Sequence, residues 1–141
     1  MSRAKSDQLS TYLRDRAEEF VRSVGYYTAD DYELVYVRED VAAQYTEEEL
    51  QAVVDDLRLE GLAAPKQEDL YVLGKLNCTV RCFNRGVVMH FPHDRTSGTV
   101  AIMEYDAATQ LHSFIAGCLN EIYDEYPTPE RGWRGPNSPT Q

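Results

Sequence analysis

Cys78, Cys82 and Cys118, together with His90 and His93, are the residue types from which a tetrahedral zinc site is built. Their spacing speaks against one. If residues 76–83 and 87–93 are paired strands, Cys78 and Cys82 point to one face and His90 to the other. Strand residues four apart also stand about 13 Å from each other, too far to share an ion. Thiol catalysis meets the same obstacle, because no base falls beside an exposed thiol. Small thiols packed as core beneath a last helix account better for Cys78 and Cys82. The acidic run Glu47-Glu48-Glu49 invites a metal, but Thr46 and Glu49 match a capping box, which explains it. His93-Asp94-Arg95 reads as a solvated polar turn, and His112 as surface. No G-x-S-x-G, H-E-x-x-H or glycine-rich phosphate loop occurs. The sequence therefore points to no catalytic residue, no metal and no cofactor, and the expectation is a protein that is not an enzyme.

The elements that position these residues centre on Leu76 to Tyr105, read as three consecutive strands: LNCTVRCF, VVMHFPH and TVAIMEY. Taking Arg85-Gly86 as a two-residue turn sets Cys82 opposite Met89 and Arg81 opposite His90, with Gly86 supplying positive φ. Cross-strand partners share a face, and faces alternate along a strand. One face then collects Cys78, Val80, Cys82, Val87, Met89 and Phe91 as core. The other collects Thr79, Arg81, Phe83, Val88 and His90.

Before the meander, apolar spacing predicts a helix from about Ser6 to Gly25, with Leu9, Leu13, Ala17, Phe20, Val21 and Val24 on its buried stripe. Tyr32–Val37 reads as a strand. A short helical turn precedes a capped helix from Thr46 to Gly61, with Leu50, Val53, Val54 and Leu57 inward and Asp55, Asp56 and Glu60 solvated. Pro65 is expected to prevent any longer helix. Asp106 begins a last helix with the stripe Leu111, Phe114, Ile115, Cys118, Leu119 and Ile122. Residues 126–141 hold four of the six prolines and read as a disordered tail, in which Trp133 sits between Arg131 and Arg134. The expectation is one α+β domain over residues 6–125: an antiparallel sheet of about four to five strands with three main helices packed on it.

The formal charge of −10 comes from 24 acidic and 14 basic residues, and only three of the basic residues are lysines. An acidic, lysine-poor surface stays hydrated in concentrated salt. It also disfavours nucleic acid and anionic membrane as partners. No apolar run is long enough to cross a membrane, and MSRAKSDQLS lacks the apolar segment of a signal peptide. An odd count of three cysteines with no secretory signal suits a reducing cytoplasm. Charge is uneven: Lys75 to Met103 carries a formal +3, the remainder −13. This basic island meets either the acidic helices of its own chain, an acidic protein partner, or a second copy.

The runs YELVYVREDVAAQYTEEELQAVVDDLRLEGL, LGKLNCTVRCFNRGVVMHFP and SGTVAIMEYD resemble a family of small uncharacterised haloarchaeal proteins, over roughly residues 9–122. The resemblance implies a salt-rich cytoplasm and brings no assigned activity. The element order is also similar to roadblock/longin or profilin-like domains, which implies dimerisation or service to small GTPases, as a topological analogy. Function is expected to be that of a non-catalytic regulatory or adaptor domain acting through protein contact, with a homodimer as one form of that contact. Its contact residues would be Arg81, Phe83, Arg85, Val88 and His90. The alternative is a small-molecule sensor with a pocket lined by Tyr26, Tyr27, Tyr32 and Tyr36.

Overall fold

The computed structural model describes residues 2–108 and 121. Five strands form one antiparallel sheet: β1 (Val21–Tyr27), β2 (Tyr32–Val37), β3 (Thr79–Phe83), β4 (Gly86–Pro92) and β5 (Gly98–Met103), in the spatial order β2-β1-β5-β4-β3. Helix α1 (Ser2–Ala17) packs on one face, and α2 (Glu39–Ala42) and α3 (Glu47–Tyr71) belong to the other. This is the α+β class that the sequence predicts. The expected last helix, with His112, Gly117 and Cys118, lies outside the described residues, apart from a 3-10 turn at Tyr105–Ala108 and helical Glu121. The expected tail, with Trp133, lies wholly outside them.

The first helix is shorter than its apolar spacing predicts. It starts at Ser2 and stops at Ala17, and after a 3-10 turn at Glu18–Phe20 the chain enters β1. Val21 and Val24 are fully buried, but as strand residues. Two valines and two tyrosines in VRSVGYY favour extended backbone, and β1 occupies the place between β2 and β5 that would otherwise leave two unpaired edges. Ser6 Oγ meets Thr99 Oγ1 at 2.6 Å and is fully buried, which ties α1 to the sheet.

The meander forms with its pairing shifted by two residues. Cys82 faces Val87 and Arg81 faces Val88, with Asn84 and Arg85 in the turn. An even shift keeps every side chain on its predicted face. Gly86 lies in β4 without positive φ; that conformation belongs to Gly74 at 92°. What Gly86 supplies is room, since a Cβ there would stand 3.1 Å from the Met103 carbonyl oxygen. The thiols are not core: Cys82 is exposed and Cys78 half-buried on the edge strand β3. Instead, Val21, Val24, Ala101 and Met103 form the core under α1, with Leu9, Leu13 and Met89 around them.

Helix α3 begins as the sequence predicts. The Thr46 hydroxyl accepts from the Glu49 N–H at 3.1 Å, and the Glu49 carboxylate accepts from the Thr46 N–H at 2.8 Å. It does not stop at Gly61 or break at Pro65, but runs on to Tyr71. Pro65 forfeits one bond, to the carbonyl of Gly61, and Gly61 offers no side chain to crowd that turn. Gly61 is buried instead where α3 packs on the sheet, and a Cβ there would lie 3.3 Å from the Tyr27 hydroxyl.

The Tyr27 ring lies across Gly98. A Cβ on Gly98 would fall 2.7 Å from the Tyr27 hydroxyl and 3.0 Å from the Phe91 carbonyl oxygen. Gly98→Ala is therefore expected to destabilise the fold by about 1–3 kcal/mol through overpacking, read as a lower midpoint in chemical denaturation. A midpoint within error of the parent would contradict this account.

Candidate functional site

A chain of polar groups ties α3 to the sheet. The Tyr27 O–H donates to His90 Nε2 at 2.7 Å, and His90 Nδ1–H donates to the Glu60 carboxylate. Glu60 also accepts from Arg81 Nη2 at 2.9 Å, while Arg81 Nη1 donates to Asp56 at 2.7 Å. His90 is only 1% exposed. Each member sits where secondary structure puts it: His90 and Arg81 on the α3 face of the sheet, Asp56 and Glu60 one turn apart on α3. Burial, followed by the charge of Glu60, pushes the Tyr27 hydroxyl up to about 12, so it keeps the proton it donates.

On the β3 side of this bridge, α3 and the meander enclose a groove of about 520 Å³. Its floor is Val88, Val100 and Ile102; Val53 and Leu57 of α3 form one wall. Phe83, 55% exposed, and Arg85 stand on the other side. Three arginines reach the groove. Arg22 is held by Glu104 at 3.1 Å and Gln44 at 2.8 Å, and Arg81 by α3. Arg85, exposed in the hairpin turn, makes no side-chain hydrogen bond or ion pair among the described residues.

On the β2 side of α3 lies a smaller, largely apolar cavity of about 90 Å³. Tyr27 and Tyr32, paired across the β1–β2 hairpin, line it with Tyr26 and Leu34. Tyr45, Val53, Leu57, Val100 and Ile102 line both this cavity and the groove. The two recesses thus flank the first half of α3.

The sequence-predicted residues divide accordingly. Arg81, Phe83, Arg85 and Val88 come together in the groove. His90 does not: it is enclosed beneath α3, so its expected role as a surface contact is corrected, and the Arg81 guanidinium is already spent on α3. Of the basic island, Arg81 meets the acidic helix of its own chain. Tyr26, Tyr27 and Tyr32 share the cavity, whereas Tyr36 lies on the α1 face with the Arg14 guanidinium 4.2 Å from its ring centroid. Glu60 and Asp56, expected to be solvated, are the residues the sequence reading missed. The available signal was position: Glu60 follows Leu57 by three on α3 and faces the paired strands β3 and β4, which bear Arg81 and His90.

Among the described residues no three of His, Cys, Asp and Glu are grouped to hold a metal ion. Desolvation raises both the Cys78 and Cys82 thiols above their ordinary value, which disfavours thiolate at neutral pH.

One family model matches residues 7–123, under the description "Domain of unknown function (DUF7522)". No curated protein and no solved structure matches the chain.

Two outcomes follow for the polar chain. Glu60→Ala strips His90 and Arg81 of their shared acceptor and is expected to cost about 2–4 kcal/mol in denaturant unfolding. Because the Tyr27 hydroxyl titrates higher in the folded state, its contribution is complete below pH 10 and is lost as pH rises toward 12. The stability–pH curve should fall across that window and flatten in Tyr27→Phe; an equal fall in both would exclude Tyr27 as the source.

Proposed function

The chain belongs to that family of unknown function, and we propose that it is a non-catalytic regulatory domain that binds a small amphipathic anion in the groove between α3 and the meander. One observation carries this reading: an uncommitted arginine, Arg85, stands beside exposed Phe83 at the mouth of a recess with an apolar floor. A volume near 520 Å³ lies within the roughly 300–1,000 Å³ usual for small-ligand sites. The tyrosine-lined cavity is too small for that role alone, since 90 Å³ is the room of about three waters. It adds an apolar extension to the groove rather than a site of its own. A guanidinium pairs with a carboxylate, sulfate or phosphate through paired N–H donors, while Phe83, Val88 and Ile102 suit an aliphatic or aromatic body.

Chemical inertness supports the non-catalytic part. Tyr27, His90 and Glu60 are bonded to one another beneath α3, and neither His90 nor Glu60 lines either recess. The setting proposed is a salt-rich cytoplasm, for which the charge of −10 and the scarcity of lysine speak. No helix among the described residues is long and apolar enough to cross a membrane. The analogy with roadblock/longin or profilin-like domains agrees with a role in binding, as an analogy of element order only. A second reading keeps the groove but fills it with a side chain of a protein partner, and the exposure of Phe83 favours it.

Decanoate and the fluorescent anion 1-anilinonaphthalene-8-sulfonate serve as probes. Both should bind saturably and compete with each other. Arg85→Glu should weaken decanoate about tenfold or more, the scale of one charge-assisted contact. Phe83→Ala should weaken both probes, and Arg95→Glu, at an exposed turn outside the groove, should change neither. Unsaturable binding of both probes, or affinities indifferent to Arg85 and Phe83, would remove the small-anion reading.

A further inference from the structure

Helix α3 has two apolar sides. Val54, Leu57, Gly61 and Ala64 face the sheet and are buried. On the opposite side stand Leu59, Leu62 and Leu70, and past the last turn Val72 and Leu73; exposure along this stripe runs from 52% at Leu62 to 85% at Leu73. At 100° per residue, positions 59, 62, 66 and 70 fall in one sector, turned about 180° from the buried one. The side of a surface helix that faces away from its core is ordinarily polar. Without Tyr71, which lies nearer the buried sector, this stripe exposes on the order of 600 Å², the upper end for the largest patch of a typical monomer. That is about three quarters of the roughly 800 Å² that each partner of a standard interface contributes. From Lys66 to Lys75 every residue but Glu68 is exposed, so the end of α3 stands clear of the described sheet. Val72 has φ 53°, a left-handed conformation costly for a β-branched residue.

We propose that this stripe is the interface of a symmetric homodimer, in which two α3 helices pack antiparallel about Lys66. That register sets Leu62 against Leu70 of the second copy and Leu59 against Leu73, with Ala63 allowing close approach. Charge selects it. Lys66 is the charged residue at the middle of the stripe, and Asp69 follows it by three. Neither makes an ion pair among the described residues. Antiparallel packing brings each Lys66 within reach of Asp69 in the other copy, twice by symmetry. The same two-fold sets Lys66 beside Lys66, a pair that the two Asp69 carboxylates flank; parallel packing would set Asp69 beside Asp69 as well. The lipid of an anionic bilayer is a poorer occupant for a chain of charge −10. The groove lies along one flank of α3, lined by Val53, Asp56 and Leu57, and the stripe is a separate sector, so assembly can be measured with no groove ligand present.

Light scattering coupled to size exclusion at molar salt tests it. The parent chain of 16.1 kDa should appear as a dimer. Leu62→Glu and Leu70→Glu, both at exposed positions, should each give a monomer with unchanged circular dichroism. Lys66→Glu should shift the equilibrium toward monomer by about tenfold, and adding Asp69→Lys should restore the dimer. A parent that stays monomeric at high concentration overturns the proposal. So does a dimer that survives both Leu→Glu changes. A monomer that instead associates with phosphatidylcholine vesicles assigns the stripe to lipid and overturns it equally. Failure of the charge swap to restore assembly overturns the antiparallel register.

Discussion

The fold depends on how near α3 can come to the sheet, and Tyr27 sets that distance. Its ring lies over Gly98, where a Cβ would collide at 2.7 Å, and its hydroxyl sits by Gly61, where a Cβ would make a tight contact at 3.3 Å. The hydroxyl reaches His90 at 2.7 Å in a place that excludes water. A buried donor and a buried imidazole left unpaired would each cost about 1–3 kcal/mol. Together with Glu60 and Arg81 they instead form a continuous series of partners running from a central strand to the surface of α3. The apolar contacts of Tyr27, Val54 and Leu57 fill the space beside it. Held at this point, the first half of α3 bridges the sheet and leaves a recess on either side.

Charge follows the same layout. An acidic chain with a basic meander has to place that meander against something. Arg81 meets Asp56 and Glu60, while Arg22 and Arg38 share Glu104. These pairs are partly exposed, so their worth is modest and falls with salt. Their larger effect is selective. With Arg22 and Arg81 occupied, Arg85 is the groove arginine without an ion pair among the described residues.

Much of this was legible in the sequence where local rules and tertiary need agree. The T-E-E-E cap, strand β2, the three-strand meander and its facial parity follow from residue types and alternation. So does the meeting of Arg81, Phe83, Arg85 and Val88, because parity survives an even slip in pairing. Other features were illegible because two periods fit the same letters. Phe20, Val21 and Val24 satisfy a helix and a strand equally, and only the vacancy between β2 and β5 decides. Pro65 is a breaker by local rule, yet a single lost bond is small against continuing a docked helix. Glu60 looks solvated until the strand opposite it is known to carry His90. The tyrosines read as one cluster, and the pairing of Val24 with Tyr36 but of Gly25 with Leu34 sends Tyr36 to the other side.

A helix that is greasy on opposite sides cannot shift on one without shifting on the other. Val53 and Leu57 form the groove wall, and Leu59 and Leu62 follow within two turns on the same rigid rod. A rocking of that rod by a fraction of an ångström, pivoting where Tyr27 pins it, would reshape both surfaces at once. Whatever occupies either side would feel the occupancy of the other as a change in affinity, equal in both directions by thermodynamic linkage.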